Sequence, residues 1–162
     1  MPEPLNAVAD STILVSAFLR KEGVSAVLLR HATGGDFVLY LSLEIITETE
    51  TVLLEREHIR RRYNYSNDEV AEFCQELRAS FFLVTDLPQL TGIVRDPNDD
   101  MVIATAQRAQ SSYVVTRDDD LLSLQRYEDI TIITPEAFIT PEAFIAIVRE
   151  HLRSSDEEST TP

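Results

Sequence analysis

The sequence predicts an α/β fold in three layers, with helices on both faces of a central, mostly parallel sheet. Two observations lead there. Short apolar runs alternate with longer segments whose apolar residues recur every three or four positions, the pattern of strands separated by helices. The chain has 162 residues, 44% of them hydrophobic, which suits one soluble globular domain with a real core.

Taken in order, Asn6–Ala9 is a short apolar strand ending at Asp10, Ser11 and Thr12, after which Ile13, Leu14, Ala17 and Phe18 return at helical spacing. A second helix around 24–31 precedes the break at Gly34 and Gly35. A strand over 37–41 follows, and Ser42 is placed to cap a long helix toward Glu55. Ser66 with Glu69 three residues on is a capping box that opens a helix over 70–80, before the apolar run 81–85. A turn-rich stretch with Pro88, Gly92 and Pro97 leads to Asp99 and Asp100, which open an alanine-rich helix through about Gln110. Residues 113–116 form a strand, 118–124 a loop or short helix, and 130–133 the next strand.

The hexapeptide ITPEAF occurs twice in succession, at 133–138 and 139–144. A second proline, Pro141, cannot sit inside one continuous helix from 135. Thr140 is therefore read as a cap and Pro141 as the first residue of a terminal helix whose apolar face is Phe144, Ile147, Val148 and Leu152. The repeat reads as a local duplication that adds one turn. A single domain over 1–153 is expected, with 154–162, which holds Asp156, Glu157 and Glu158, as an acidic disordered tail.

Composition removes several classes of function. The apolar runs are far shorter than the ~20 residues that cross a bilayer, and the N-terminus lacks a secretory pattern, so a cytoplasmic protein with no membrane partner is expected. Cys74 is the one cysteine; with Val70, Phe73 and Leu77 at helical spacing it is a core thiol, and no thiolate pair exists for zinc. His31, His58 and His151 are scattered. The net charge of −14 runs against the basic footprint of a nucleic-acid binder, and the tail accounts for only three of the surplus acids.

Ligand sites of open parallel sheets lie beyond the carboxyl ends of the strands, so acids that follow strands are the candidates. Asp10 follows the first strand and Asp118 follows Tyr-Val-Val-Thr-Arg. Asp100 lies in the first turn of its helix, where the dipole favours a carboxylate. Glu48 borders the apolar stripe of Ile45, Thr49 and Val52. Four acids in one crevice repel unless a cation sits among them, and magnesium prefers such hard oxygen ligands. Spacing alone leaves open that these are helix caps and solvated acids chosen from twenty-eight. Two other acid-dependent chemistries are excluded. A phosphoaspartate hydrolase needs Asp-x-Asp after its first strand, and Thr12 occupies the second position; a receiver domain needs a lysine late in the sheet, and the one lysine, Lys21, follows the first helix.

The sequence resembles the PIN-domain family, in the branch of toxin components of toxin–antitoxin systems. The resemblance rests on Val-Ala-Asp-Ser-Thr-Ile-Leu-Val-Ser-Ala at 8–17, on Ser42, Glu48, Val52 and Leu53, and on Asp96-Pro97-Asn98-Asp99-Asp100 before the alanine-rich helix. Tyr-Val-Val-Thr-Arg-Asp-Asp-Asp-Leu-Leu at 113–122 and the closing Ile-Thr-Pro-Glu-Ala-Phe complete it. It implies metal-dependent cleavage of single-stranded RNA, with Mg2+ (or Mn2+ in its place) held by Asp10, Glu48, Asp100 and Asp118. Asp100 is preferred over Asp99 because it directly precedes the aliphatic pair Met101-Val102. Thr12, Asp96, Asp99, Thr116 and Asp120 become supporting residues. Thr12 stands where the family usually has Asn, which removes an amide donor beside Asp10.

Phosphate contacts are expected from Arg117 and from Arg60, Arg61 and Arg62, whose neighbours Tyr63 and Tyr65 can stack on bases. The partners implied are a small antitoxin protein or a second copy of the chain as a homodimer. The rival reading is a binding protein of PIN fold with weak or lost nuclease activity.

Overall fold

The computed structural model describes residues 4–139 and 141–159. Its elements are β1 (Asn6–Ala9), α1 (Ser11–Leu19), α2 (Val24–Thr33), β2 (Val38–Ser42), α3 (Leu43–Glu55), α4 (Glu57–Arg62), α5 (Asn67–Ser80) and β3 (Phe82–Val84). There follow α6 (Pro97–Ala109), β4 (Tyr113–Val115), α7 (Asp119–Leu124), β5 (Arg126–Tyr127), β6 (Ile130–Ile133), α8 (Pro135–Ile139) and α9 (Pro141–Ser159). The strands form one sheet in the order β3-β2-β1-β4-β6-β5. Every pairing is parallel except that of β5 with β6.

That order contains a reversal. From β1 the chain steps outward through β2 to β3, then crosses back to place β4 on the other side of β1. Because parallel crossovers are right-handed, the reversal puts the helices of the two halves on opposite faces and opens a crevice where the loops after β1 and β4 diverge. Helix α6, which makes the crossing, packs on β1, β2, β3 and β4, while α1 packs on α2 and α3. The loops that diverge carry Asp10 on one side and Thr116 to Asp118 on the other.

The helices begin where their capping side chains satisfy otherwise orphaned N–H groups. Ser42 accepts from the Ile45 amide and Ser66 from the Glu69 amide. Asp10, Asp96 and Asp118 cap α1, α6 and α7 in the same way. Burial of the middle strands is complete: Ala7, Val8, Ala9, Val114 and Val115 have no exposed surface, as continuous apolar strands covered on both faces require. Cys74 is likewise fully buried. Phe138, from the first ITPEAF copy, closes one end of the core, edge-on to Phe37 and Tyr113 at 5.0 and 5.6 Å between ring centroids. Thr134 caps α8 by accepting from the Ala137 amide. Among the described residues, no helix is long and apolar enough to cross a membrane.

Several expectations need correction. The helix α4 and the edge strand β5 have no counterpart in the sequence pattern: α4 buries none of its residues and β5 has two, so neither carries an apolar period. The terminal helix α9 runs to Ser159, into the segment 154–162. Residues 160–162 lie outside the described residues. So do Thr140 and the side chain of Phe144. Ile147 and Val148 pack on the core, but Leu152, assigned to the same face, is 46% exposed.

Truncating Phe138 removes a large, fully buried ring. Phe138→Ala is expected to lower the free energy of unfolding by about 3–5 kcal/mol, measured by urea denaturation followed by circular dichroism. A loss under about 1 kcal/mol would mean that α8 does not anchor this end of the core.

Candidate metal centre

At the crevice a cleft of about 600 Å³ is lined by Asp10, Glu48, Asp96, Asp99 and Asp118. Asp10 is 2% exposed and both its oxygens are engaged. Oδ1 accepts from the Thr12 hydroxyl at 2.5 Å and the Ile13 amide at 3.3 Å; Oδ2 accepts from the Thr116 hydroxyl at 2.6 Å. The Thr116 oxygen in turn accepts from the Asp118 amide at 2.9 Å, and the Thr12 oxygen from the Arg117 amide at 3.0 Å. Two threonines thus stitch the loop after β1 to the loop after β4. Thr12 loses the amide of an Asn but fills the position with one bond given and one received. Burial pushes the Asp10 carboxyl from its ordinary 3.8 to about 6, against the pull of those hydrogen bonds.

The next pair of acids separates sharply. Asp100 Oδ1 accepts from the amides of Ile93 and Val94 at 3.1 and 2.6 Å, so this buried side chain ties down the loop before α6 and does not line the cleft. Asp99, one residue earlier and therefore turned about 100° around the helix, does. Its Oδ2 is buried with no hydrogen-bond partner. Burial first, then the charges of Asp118, Asp96, Asp10 and Glu48, push Asp99 from 3.8 to about 7. Of the two neighbours preferred in the order Asp100, Asp99 from sequence, it is Asp99 that faces the cleft. The aliphatic pair after Asp100 marks which residue starts the buried stripe, and an acid on that stripe is drawn to backbone donors below the cleft.

Carboxylate oxygens of Asp99, Asp118 and Asp120 come within 4.8 Å of one another. Asp118 uses Oδ1 for the amides of Asp120 and Leu121. Glu48, half-buried across the cleft, is pushed up by burial and held down by the Ser11 hydroxyl, with Asp96 and Asp118 adding to the rise. Asp96 accepts from the Asn98 amide through Oδ1. An orphaned, buried carboxylate oxygen among like charges is costly unless a proton or a cation joins it. The group contains neither His nor Cys, and all-oxygen donors fit a hard divalent ion such as Mg2+ or Mn2+.

The arginines rearrange the expectation further. Arg60 donates to the Leu53 carbonyl and to Asn67 and lies over the Tyr65 ring; Arg61 pairs with Glu57; Arg62 lies over Tyr63. None of the three lines the cleft. Arg20, Arg56 and Arg117 do. Arg117 binds Glu136 at 2.5 Å, and Glu136, also on the cleft, comes from the first ITPEAF copy. Sequence reasoning passes over Arg20, Arg56 and Glu136, although helical spacing from Thr12 and from Glu48 points to the first two.

The PIN domain family model matches residues 6–120. The chain belongs to the PIN domain family. Among solved structures it is similar to VapC20 of Mycobacterium tuberculosis, a sarcin–ricin loop cleaving toxin, with 13% identity and a TM-score of 0.48 over 77% of this chain and 98% of that one. It is similar also to FitAcB from Neisseria gonorrhoeae, with 14% identity and a TM-score of 0.48 over 80% of this chain and 97% of that one. No curated protein matches the sequence.

The two neighbouring aspartates should respond oppositely to change. Asp99→Asn relieves an unpartnered charge, so the metal-free protein is expected to melt at a higher temperature and to lose the further rise that Mg2+ gives the wild type. Asp100→Ala strands two amides and is expected to cost about 1–3 kcal/mol for each. Thermal melts with and without Mg2+ check both; a magnesium response that survives Asp99→Asn would remove Asp99 from the centre.

Proposed function

We propose that this chain is a divalent-metal-dependent ribonuclease that cleaves single-stranded RNA, using Mg2+ with Mn2+ able to replace it. The observation that carries the reading is the partnerless buried oxygen of Asp99, set among the other cleft acids at the strand-order reversal of a PIN domain. Asp99, Asp118 and Asp120 would hold the ion, with Asp10 beside them. A bound magnesium supplies positive charge for the scissile phosphate and lowers the pKa of a water.

The protein groups do the rest. Thr12 and Thr116 keep both oxygens of Asp10 oriented, so that its lone pairs need no reordering when the substrate arrives. The Glu48 carboxylate faces the same space and is the group to accept the proton of the attacking water, its affinity for a proton raised by burial. Arg117 stands next to the acids and can leave Glu136 for a phosphate oxygen. In-line attack would leave a 5′-phosphate and a 3′-hydroxyl. The same reading makes the chain the cytoplasmic toxin of a toxin–antitoxin pair, with a small antitoxin as partner, and rests there on the sequence motifs.

The deciding assay is cleavage of single-stranded RNA in Mg2+ or Mn2+ by wild type, Asp10→Asn, Asp99→Asn and Asp100→Asn. Asp10→Asn and Asp99→Asn are expected to lose about 100-fold or more in kcat. Asp100→Asn, which keeps an acceptor for the Ile93 and Val94 amides, is expected to lose far less. Equal cleavage by all four proteins would sink the centre, and binding of metal and RNA without turnover would make this a PIN-fold binding protein.

A further inference from the structure

Beyond the carboxylates the cleft continues along two helices, and its chemistry changes in step on both. Along α1 the lining residues are Thr12, then Val15 and Ser16, then Leu19, with Arg20 at its C-cap; along α3 they are Glu48 and Val52, with Arg56 at its C-cap. Steps of three and four residues make each set one stripe. Eight residues at 1.5 Å each put the backbone of either arginine roughly 12 Å along the helix from Thr12 or Glu48, while the Arg56 guanidinium still reaches back far enough to lower the proton affinity of Glu48. The helices leave the same edge of the sheet, since each follows directly on one of the parallel strands β1 and β2, and they pack against each other. Acid, apolar and basic positions therefore come in the same order on both walls.

Tyr63, the C-cap of α4, completes the basic end, with its hydroxyl accepting from Arg20 Nε at 3.4 Å. Among the described residues neither Arg20 nor Arg56 forms a salt bridge. Two guanidinium groups that share one cleft without a salt bridge, Arg56 acting on Glu48 only through space, can take up an anion in a chain with a net charge of −14. Between them and the acids the wall offers the apolar surface of Val52 and Leu19, and beside the arginines stands the Tyr63 ring, over which Arg62 also lies; apolar and aromatic surface is what a base needs and a bare phosphate does not.

We infer that this end of the cleft is a nucleotide subsite, where one unstacked base lies against Val52, Leu19 and Tyr63 while Arg20 and Arg56 grip the phosphate beside it. The inference rests on the nuclease reading for the polarity of the bound strand, and it extends that reading to substrate choice. A phosphate at the acidic end and another at the arginines would belong to one strand, with the intervening base turned between the two helices. A base held in a duplex cannot make that turn, so the subsite selects single strands.

The experiment uses an end-labelled single-stranded RNA octamer in Mg2+, its binding read by fluorescence anisotropy in the Asp10→Asn protein so that the strand survives. Adding Arg20→Ala and Arg56→Ala is expected to weaken binding about 100-fold and to flatten the dependence of log Kd on log salt by about 0.7, for the one single-strand phosphate that the two arginines no longer neutralise. Adding Tyr63→Ala is expected to weaken it about tenfold, with Tyr63→Phe close to the parent because the ring carries the stacking. An octamer with one abasic position should bind the Tyr63→Ala protein as well as the intact octamer does, while the parent discriminates between them.

Affinity and salt slope unchanged by the arginine substitutions would overturn the subsite, and that outcome can stand beside full nuclease activity in the wild type. Loss of binding in these variants, from a wild type that cleaves no RNA, would uphold the subsite and overturn the nuclease reading instead.

Discussion

Everything at the functional edge depends on holding a buried carboxylate still among other carboxylates. Left to themselves the acids of the cleft would turn outward to water, since desolvation and mutual repulsion both oppose their burial. Asp10 is prevented from doing so by hydroxyls on its two oxygens, Thr12 from the first turn of α1 and Thr116 from the loop after β4. That arrangement exists only because β1 and β4 are neighbours in the sheet, and the strand order makes them neighbours by reversing there. The topology, the hydrogen-bonded bracket and the acidic cluster are one construction at three scales.

The same acids also begin helices. Asp10, Asp96 and Asp118 are N-caps of α1, α6 and α7, so three positive helix ends converge on the cleft. A cap contributes stability through the oxygen that accepts the helix amides, as at Asp118, whose Oδ1 is used by two of them. Carboxylates that would otherwise be purely destabilising are thereby tolerated in the cleft. Asp99 is the exception. It caps nothing, its Oδ2 has no donor, and it carries the strain of the site without local relief.

Much of this is legible in the sequence, and the limits have physical causes. Strands and long helices announce themselves through period and caps: Ser42 and Ser66 begin the helices they are expected to begin. The elements that escape, α4 and β5, lack an apolar face and owe their form to what they pack beside. At the cleft, strand-following position singles out Asp10 and Asp118, which sit at the divergence of β1 and β4. Choosing between Asp99 and Asp100 requires the direction of each side chain, and adjacent residues on a helix differ by rotation, which a list of letters does not display. Arg60, Arg61 and Arg62 look like a nucleic-acid patch because they are adjacent in sequence. In the fold they lie outside the cleft, Arg60 against the Leu53 carbonyl, Asn67 and the Tyr65 ring, Arg61 beside Glu57 and Arg62 over Tyr63, while Arg20 and Arg56, the C-caps of α1 and α3, line it.

The tandem hexapeptide has a consequence for how the chain can change. Its first copy is fully committed, with Phe138 in the core and Glu136 on the cleft through Arg117. The second copy starts a helix that comes after the last strand of the sheet. A duplication at that point lengthens the protein without moving any residue of the cleft. Downstream of Phe138, positions other than Ile139, Ile147 and Val148, which pack on the core, are the ones that can diverge, so the terminal helix can acquire an outer surface of its own.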